Sequence, residues 1–413
     1  MKKLLSVLMV LLMAAVLFAN GSSETTDAKS VQLELLLSDD TLEGSPMAKA
    51  VARFNEEYKD KGIQVKVNEI AYADIETQVM NRAKAKKLPD LIKTTKDVQF
   101  VDFCLPLDGK VDDSNFARSG YRGGQLKVTP VNVTAVGLII NKTAFDKAGV
   151  SYPTKEEDRW TWDEFLAALD KVVANSDCDY GLVIDHSQQR IHTLMYTFGY
   201  SQVDKNDHTK LTIDTPETRE AFNFLKSIYD NGYSPISAGL GTDNAQSMFK
   251  TGKVAAHIAG NWVYSDYTSN ITDFEWIPVL MPYKTEPATS LGGNYLMAFQ
   301  GTGHEAEAIE FINWFYKPEN YAQYCKDGNY LPGIKGVDID YDVKGLDIFN
   351  MEINASSDTP TTYQNFQLEN VGYNEGNIAR DLYDQLIVNE ITVDQAVTKL
   401  EKVYLDTFPG LHK

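Results

Sequence analysis

The spacing of hydrophobic residues changes period several times along the chain, and each change marks an element. Val31–Leu37 is a short apolar run that predicts a strand entering a buried sheet. Ser45 and Pro46 then supply a cap and a first-turn proline, and Met47, Ala50, Val51, Phe54 and Tyr58 follow at helical spacing. Ile63, Val65 and Val67 alternate with Gln64 and Lys66, the period of a half-buried strand. Ile75, Val79 and Ala83 predict a second helix, and residues 88–92 open a third strand. Strand, helix, strand, helix, strand is the start of a doubly wound parallel sheet, so the fold class is α/β.

Residues 128–141 are apolar and extended, without a helical period, and could carry the chain from one lobe to another. Residues 160–173 predict a helix in which Thr161 and Glu164 form a capping box. Pro216–Asp230 and 305–316 are further amphipathic helices, and from about Asn377 the chain reads as two or three helices ending near Phe408. Glycine and asparagine punctuate the later half at Gly260-Asn261-Trp262, Gly292-Gly293-Asn294 and Tyr330-Leu331-Pro332-Gly333. Loops of this kind lie at the carboxyl ends of strands, where open α/β sheets bind ligands.

The chain starts differently. Lys2 and Lys3 precede an apolar run over residues 4–17 and a small-residue exit around Ala19 and Gly21. That is the pattern of a secretory signal, too short and poorly flanked to span a bilayer. Residues 1–20 are read as the signal and 21–30 as a polar, flexible leader. The ~390 residues that follow exceed one hydrophobic core and predict two lobes. A formal net charge of -19 argues against nucleic acid and anionic lipid as partners. Cys104, Cys178 and Cys325 form no disulfide framework; three buried thiols are expected, with one bridge left open. None lies in the signal, so no lipid-anchor cysteine is seen, and a periplasmic location is inferred.

Signatures of catalysis are missing from the sequence. It holds no phosphate-cradling Gly-rich loop with Lys-Ser/Thr, no Gly-x-Ser-x-Gly elbow and no Cys-x-x-Cys pair, and its six histidines never fall at the spacing of a helical zinc pair. No catalytic residue, metal or cofactor is assigned. Aromatic and amide side chains stand out instead, with 22 tyrosines and five tryptophans. Sugar rings have apolar faces and hydroxyl edges, which call for a flat aromatic platform with Asp, Asn and Gln around it.

Several segments together resemble the extracellular solute-binding proteins of the maltodextrin-binding type, which feed sugars to ABC importers. Ala52-Arg53-Phe54-Asn55-Glu56-Glu57-Tyr58 is similar to the family's first helix, and Leu88-Pro89-Asp90-Leu91 to its Ala-Pro-Asp-Val turn. Leu138-Ile139-Ile140-Asn141-Lys142 through Phe145, Ala148 and Gly149 resembles its Tyr-Asn-Lys stretch. Trp160-Thr161-Trp162-Asp163-Glu164-Phe165 resembles its Thr-Trp-Asp-Glu helix start. Phe249-Lys250-Thr251-Gly252-Lys253-Val254-Ala255-Ala256, leading to Gly260-Asn261-Trp262, and Tyr330-Leu331-Pro332 complete the series. The stretch from His186 to Arg190 matches no family pattern.

The resemblance implies a two-lobed periplasmic-binding-protein fold with three interlobe crossings, near 131–134, 291–295 and 330–333, and a central ligand cleft. The N-terminal lobe would comprise 31–131 and 295–330, the C-terminal lobe 132–294 and 331–413. Ligand would sit between lobes that close over it. The expected platform is Trp262, beside Asn261. Asp39 and Asp40, with Glu43 after them, would offer carboxylates from the first strand's loop. Asn132, Gly293, Asn294 and Tyr330 fall at the crossings, and His186 and Gln188 in a polar loop after the apolar run 181–184. The expected function is capture of a mono- or oligosaccharide by a monomer and delivery to the membrane permease of an ABC importer. Alternatives are the same fold binding a polyamine, amino-sugar, phosphodiester or peptide, a secreted glycan-degrading enzyme, and a sensor presenting its ligand to a receptor.

Overall fold

A computed structural model of the chain describes residues 30–37, 45–72, 74–370 and 378–413. The expected signal, nearly all of the leader, and Asp39, Asp40 and Glu43 lie outside the described residues. Strands β1 (Val31–Leu37), β2 (Ile63–Glu69), β3 (Leu91–Thr94), β4 (Tyr121–Arg122), β5 (Gln125–Leu126) and β6 (Thr129–Pro130) precede the longest strand, β7 (Asn132–Asn141). After it come β8 (Tyr180–Ile184), β9 (Val254–Gly260), β10 (Trp276–Val279), β11 (Leu291–Gly292), β12 (Tyr295–Ala298) and β13 (Leu331–Pro332).

Each lobe is built on one large sheet, and β4 and β5 pair separately as a two-stranded antiparallel sheet. The first lobe's sheet has the order β2-β1-β3-β12-β6. Its β1, β2 and β3 are parallel, as the alternation with helices requires, whereas β12 returns antiparallel to β3. Alternate residues of β1 serve opposite faces. Leu33, Leu35 and Leu37 join a core with Phe54, Phe311 and Tyr321, from helices α1 (Pro46–Glu57), α6 (Glu305–Phe315) and α7 (Pro318–Gly328). Leu36 joins Ile75 and Val79 of α2 (Ile75–Lys84) on the other face. Ser45 caps α1 as expected, its Oγ accepting from Ala48 N at 3.3 Å.

The second sheet has the order β10-β7-β9-β8, with β11 and β13 also pairing to β7. One face packs on α3 (Trp162–Asn175), α4 (Gln188–Tyr196), α5 (Pro216–Asp230) and the C-terminal helices α9 (Thr359–Glu369), α10 (Ile378–Ile387) and α11 (Val393–Thr407). The Thr161–Glu164 capping box is formed; its cap residue is extended, so α3 starts at Trp162 and not at 160. Trp162 is buried, its Nε1 donating to Thr197 Oγ1 at 2.8 Å. Cys104, Cys178 and Cys325 are buried free thiols.

Helix α8 (Asp347–Ala355) is fixed to the second lobe by a buried ion pair. Glu352 accepts from Arg159 Nη1 at 3.0 Å and from Met281 N at 2.6 Å, and Arg159 donates to Met281 O at 2.9 Å. Burial pushes the Glu352 carboxyl up to about 7, against the opposing pull of Arg159.

The lobes are linked around the start of β7. Val131 packs in the first core and Val133 against the second lobe. Leu331 of β13 pairs with Val133, while Leu291 of β11 pairs with Ala135. After β13 the chain goes back to the first lobe, since Ile334 packs there, Ala117 N donates to Gly333 O at 2.9 Å and Lys335 N to Asn115 O at 2.7 Å. Ile339 still lies on the first core, and Tyr341 is the next residue to join the second lobe. The last passage therefore falls later than a boundary at 330–331. Between β11 and β12, Gly293 has φ +148, and a Cβ there would stand 2.1 Å from Asn132 O.

Two predictions follow from this packing. Gly293→Ala combines a backbone conformation unfavourable for L residues with a clash against β7, so it should lower stability by about 2 kcal/mol or more in chemical denaturation. Gly109→Ala, with φ +68 but nothing within 4 Å of its Cβ, should cost less. The raised Glu352 pKa means that its carboxyl favours the folded state while protonated and loses that contribution as pH rises from about 4.5 to about 7. Stability of Glu352→Gln relative to wild type, measured in urea at a series of pH values, should therefore move in the variant's favour across that window.

Candidate functional site

Strands β8 and β9 are parallel neighbours, and both end at the same edge of the second sheet. Asp185 follows β8 and Trp262 follows β9 by two residues, so the sheet brings them to one wall although they are far apart in sequence. Ser187 is the first residue before α4, whose opening turn supplies Gln188, Gln189 and Arg190. Gln189 reaches toward the second crossing, with its Nε2 3.3 Å from where a Cβ on Gly292 would lie.

A chain of polar contacts organises this wall. Tyr267 Oη lies 2.6 Å from His257 Nδ1, and His257 Nε2 lies 3.1 Å from Asp185 Oδ1. Asp185 Oδ2 lies 3.2 Å from Arg190 Nε. Arg190 Nη1 donates to Ser187 Oγ at 3.0 Å and to Gln189 Oε1 at 3.3 Å. The guanidinium carbon stands 4.3 Å from the centroid of the Trp262 ring, a cation–π contact. Burial alone would push the Asp185 carboxyl up, yet the His257 hydrogen bond and the Arg190 charge hold it below the usual carboxylate range. Burial pushes Arg190 down, opposed by Asp185.

The facing wall belongs to the first lobe, at the carboxyl ends of β2 and β3. Tyr72 is 49% exposed, high for an aromatic side chain, and its Oη lies 2.8 Å from Thr95 Oγ1. Lys96 Nζ lies 5.1 Å from its ring centroid. Tyr72 adds a small upward pull on the Arg190 pKa from the first lobe. Between them, at the second crossing, Asn294 N donates to Asn132 Oδ1 at 2.8 Å and Val131 N to Asn294 O at 2.8 Å. Asn294 is buried, and its Oδ1 has no hydrogen-bond partner among the described residues.

The residues expected from the sequence divide accordingly. Asn132, Gly293 and Asn294 come together at the crossing, and Trp262 stands half-buried on the wall. Asn261 does not face a ligand: it is fully buried, its Oδ1 accepts from Ala135 N at 2.9 Å and its Nδ2 donates to Val133 O at 3.2 Å. Both ends of its amide hold the β7 backbone, so it leaves the candidate set. His186 turns away toward α10, its Nε2 3.0 Å from Asp384 Oδ1, with Gly241 against its ring. Gln188 is half-buried at the first turn of α4. Tyr330 packs on Tyr324, ring centroids 5.3 Å apart, and has Lys93 Nζ 5.8 Å from its own ring.

Arg190, Asp185 and Tyr72 were not anticipated. The polar run from Asp185 to Arg190, directly after four apolar residues, carried the signal for the first two. Tyr72 stands in an Ala-Tyr-Ala segment without a marked pattern.

The family of bacterial extracellular solute-binding proteins matches residues 49–345. Among curated relatives, a protein of Brucella abortus (strain 2308) named as a binding protein is 23% identical over 258 residues, 59% of this chain and 61% of that protein. A protein of Escherichia coli (strain K12) named as an ABC transporter periplasmic-binding protein is 25% identical over 206 residues, 45% of each. The matched regions thus span about three-fifths or less of these relatives' length. Among solved structures, the GacH receptor of Streptomyces glaucescens, studied unliganded and with acarbose, superposes with a TM-score of 0.77 at 19% identity, covering 93% of this chain and 100% of that one. An ABC substrate-binding protein of Listeria monocytogenes in complex with cycloalternan gives 0.74 at 19% identity, with the same coverage. These likenesses establish the two-lobed periplasmic-binding-protein fold over nearly the whole molecule. With the family match extending over well more than half of the sequence, this chain belongs to the bacterial extracellular solute-binding proteins.

Proposed function

We propose that the protein captures a carbohydrate between its lobes and delivers it to the permease of an ABC importer. The observation that carries this reading is the pair of walls at the strand ends, Trp262 with Arg190 on one side and Tyr72 on the other. Aromatic surface for sugar faces stands there beside donors and acceptors for hydroxyls. The solved structures above include proteins bound to acarbose and to cycloalternan, which supports the same ligand class. Closure of the lobes on ligand, about the crossing at Asn132 and Asn294, gives the permease a liganded form to recognise. Capture requires no bond to be made or broken, so the protein acts as a binder and not as an enzyme. It works outside the cytoplasm, in the periplasm, as a monomer.

A thermal-shift screen against neutral oligosaccharides, uronates, polyamines and amino acids tests this directly. A bound sugar should raise the melting temperature with the logarithm of its concentration above Kd, and the sugar should be recovered unchanged. A response confined to polyamines or amino acids, or hydrolysis of the sugar, would refute the proposal. Trp262→Ala should weaken binding of the responding sugar by about 1–3 kcal/mol in isothermal titration of the folded variant. Unchanged affinity would remove Trp262 from the site.

A further inference from the structure

The Trp262 wall already contains a cation. An exposed indole face beside a carboxylate is a receptor for amines and quaternary ammonium groups, because the ring quadrupole and the negative charge both attract them. Here Trp262 and Asp185 form that pair, and the position between them is held by Arg190, 4.3 Å above the ring and 3.2 Å from the carboxylate. Gly260 keeps the arrangement tight: a Cβ on it would stand 2.0 Å from the indole, so the ring lies directly on the β9 backbone. The guanidinium is the layer that a ligand meets.

It is also firmly placed. Nη1 donates to Ser187 and Gln189, and Nε, which makes no hydrogen bond, stands at ion-pair distance, 3.2 Å, from Asp185. Asp185 is held in turn by His257, which is fully buried and contacts Tyr267. These three act through Arg190 and are positioning residues. A planar cation stacked on an aromatic ring offers a flat face and N–H donors together, which suits the hydroxyl-rich edge of a sugar.

We propose that Arg190 is the specificity-determining residue of this wall: it occupies the place a cationic solute would take, so the wall accepts the oxygen-rich rim of a sugar and excludes amines and quaternary ammonium compounds. This deepens the carbohydrate reading above and rests on it for the identity of the ligand, but the exclusion of cations can be measured without a known sugar.

The test is a titration of the full chain with choline, followed by tryptophan emission, in wild type and Arg190→Ala. Removal of the guanidinium bares the indole and leaves Asp185 without its arginine partner, with His257 still against its other oxygen. The variant should gain saturable choline binding at least tenfold tighter than any seen in wild type, and the double variant Arg190→Ala/Asp185→Asn should lose that gain. Against the sugar found by screening, Arg190→Ala should bind at least tenfold more weakly. Choline binding of equal strength in wild type and Arg190→Ala overturns the proposal. If Arg190→Ala does not fold, Arg190→Lys decides: it keeps the charge but not the planar stack, so it should still exclude choline while losing sugar affinity, and sugar binding equal to wild type overturns the proposal. A wild type that binds no sugar, with the choline gain present in the variant, defeats the carbohydrate reading and leaves the role of Arg190 intact. A wild type that binds sugar, without the choline gain, does the reverse.

Discussion

The shared strand β7 is the constraint on which the rest of the molecule depends. Its first residues are tied to both neighbouring crossings, Asn132 and Val133 to β13, Thr134 and Ala135 to β11, before it enters the second sheet between β9 and β10. Asn261 fastens the same stretch from inside the second lobe, and Asn132 holds the β11–β12 connection through the backbone of Asn294. The linkage is thus a compact set of backbone bonds and not a flexible tether. Relative motion of the lobes must be absorbed within a few residues, which favours hinge rotation over a general loosening.

From that constraint the position of the cleft follows. Parallel strands in both lobes direct their carboxyl ends toward the junction, where loops are free of sheet pairing and can carry specific side chains. The second lobe uses this edge for a layered structure in which backbone, indole, guanidinium and carboxylate are stacked and cross-linked. Its order has a cost, because Asp185 and Arg190 are both taken largely out of water and each depends on the other. Such a wall is preorganised: its donors are fixed before a ligand arrives, and less side-chain freedom is lost on binding.

The framework of the first lobe was readable in the sequence because its strands and helices are local and periodic. Val31–Leu37, the Ser45 cap and the alternation of Ile63, Val65 and Val67 each announce an element within a few residues. Contacts made at long range were less legible. Asn261 and Asn294 look alike in sequence, each beside a glycine, yet one is sealed in the interior against β7 and the other lies at the crossing. Nothing local distinguishes them, since the difference is made by which strand packs above. Arg190 was hidden for the same reason: its role requires Asp185 and Trp262, and the latter reaches it only through the parallel pairing of β8 and β9. The last passage between the lobes was placed too early because β13 is only two residues long, and its pairing to β7 does not prevent the following segment from returning to the first core.

The three thiols have a consequence for the life of the chain outside the cytoplasm. Burial pushes Cys104 and Cys325 up to about 12, so the reactive thiolate is scarce in the folded protein. These two lie in cores that line opposite faces of the first sheet, with Cys178 in the second lobe. The sheet itself therefore separates the two cysteines of the first lobe, and joining any of the three would demand that a lobe come apart. In an oxidising compartment such a protein needs no reductant once folded, and its exposure to wrong cross-links is confined to the interval between emergence from the membrane and closure of the two cores.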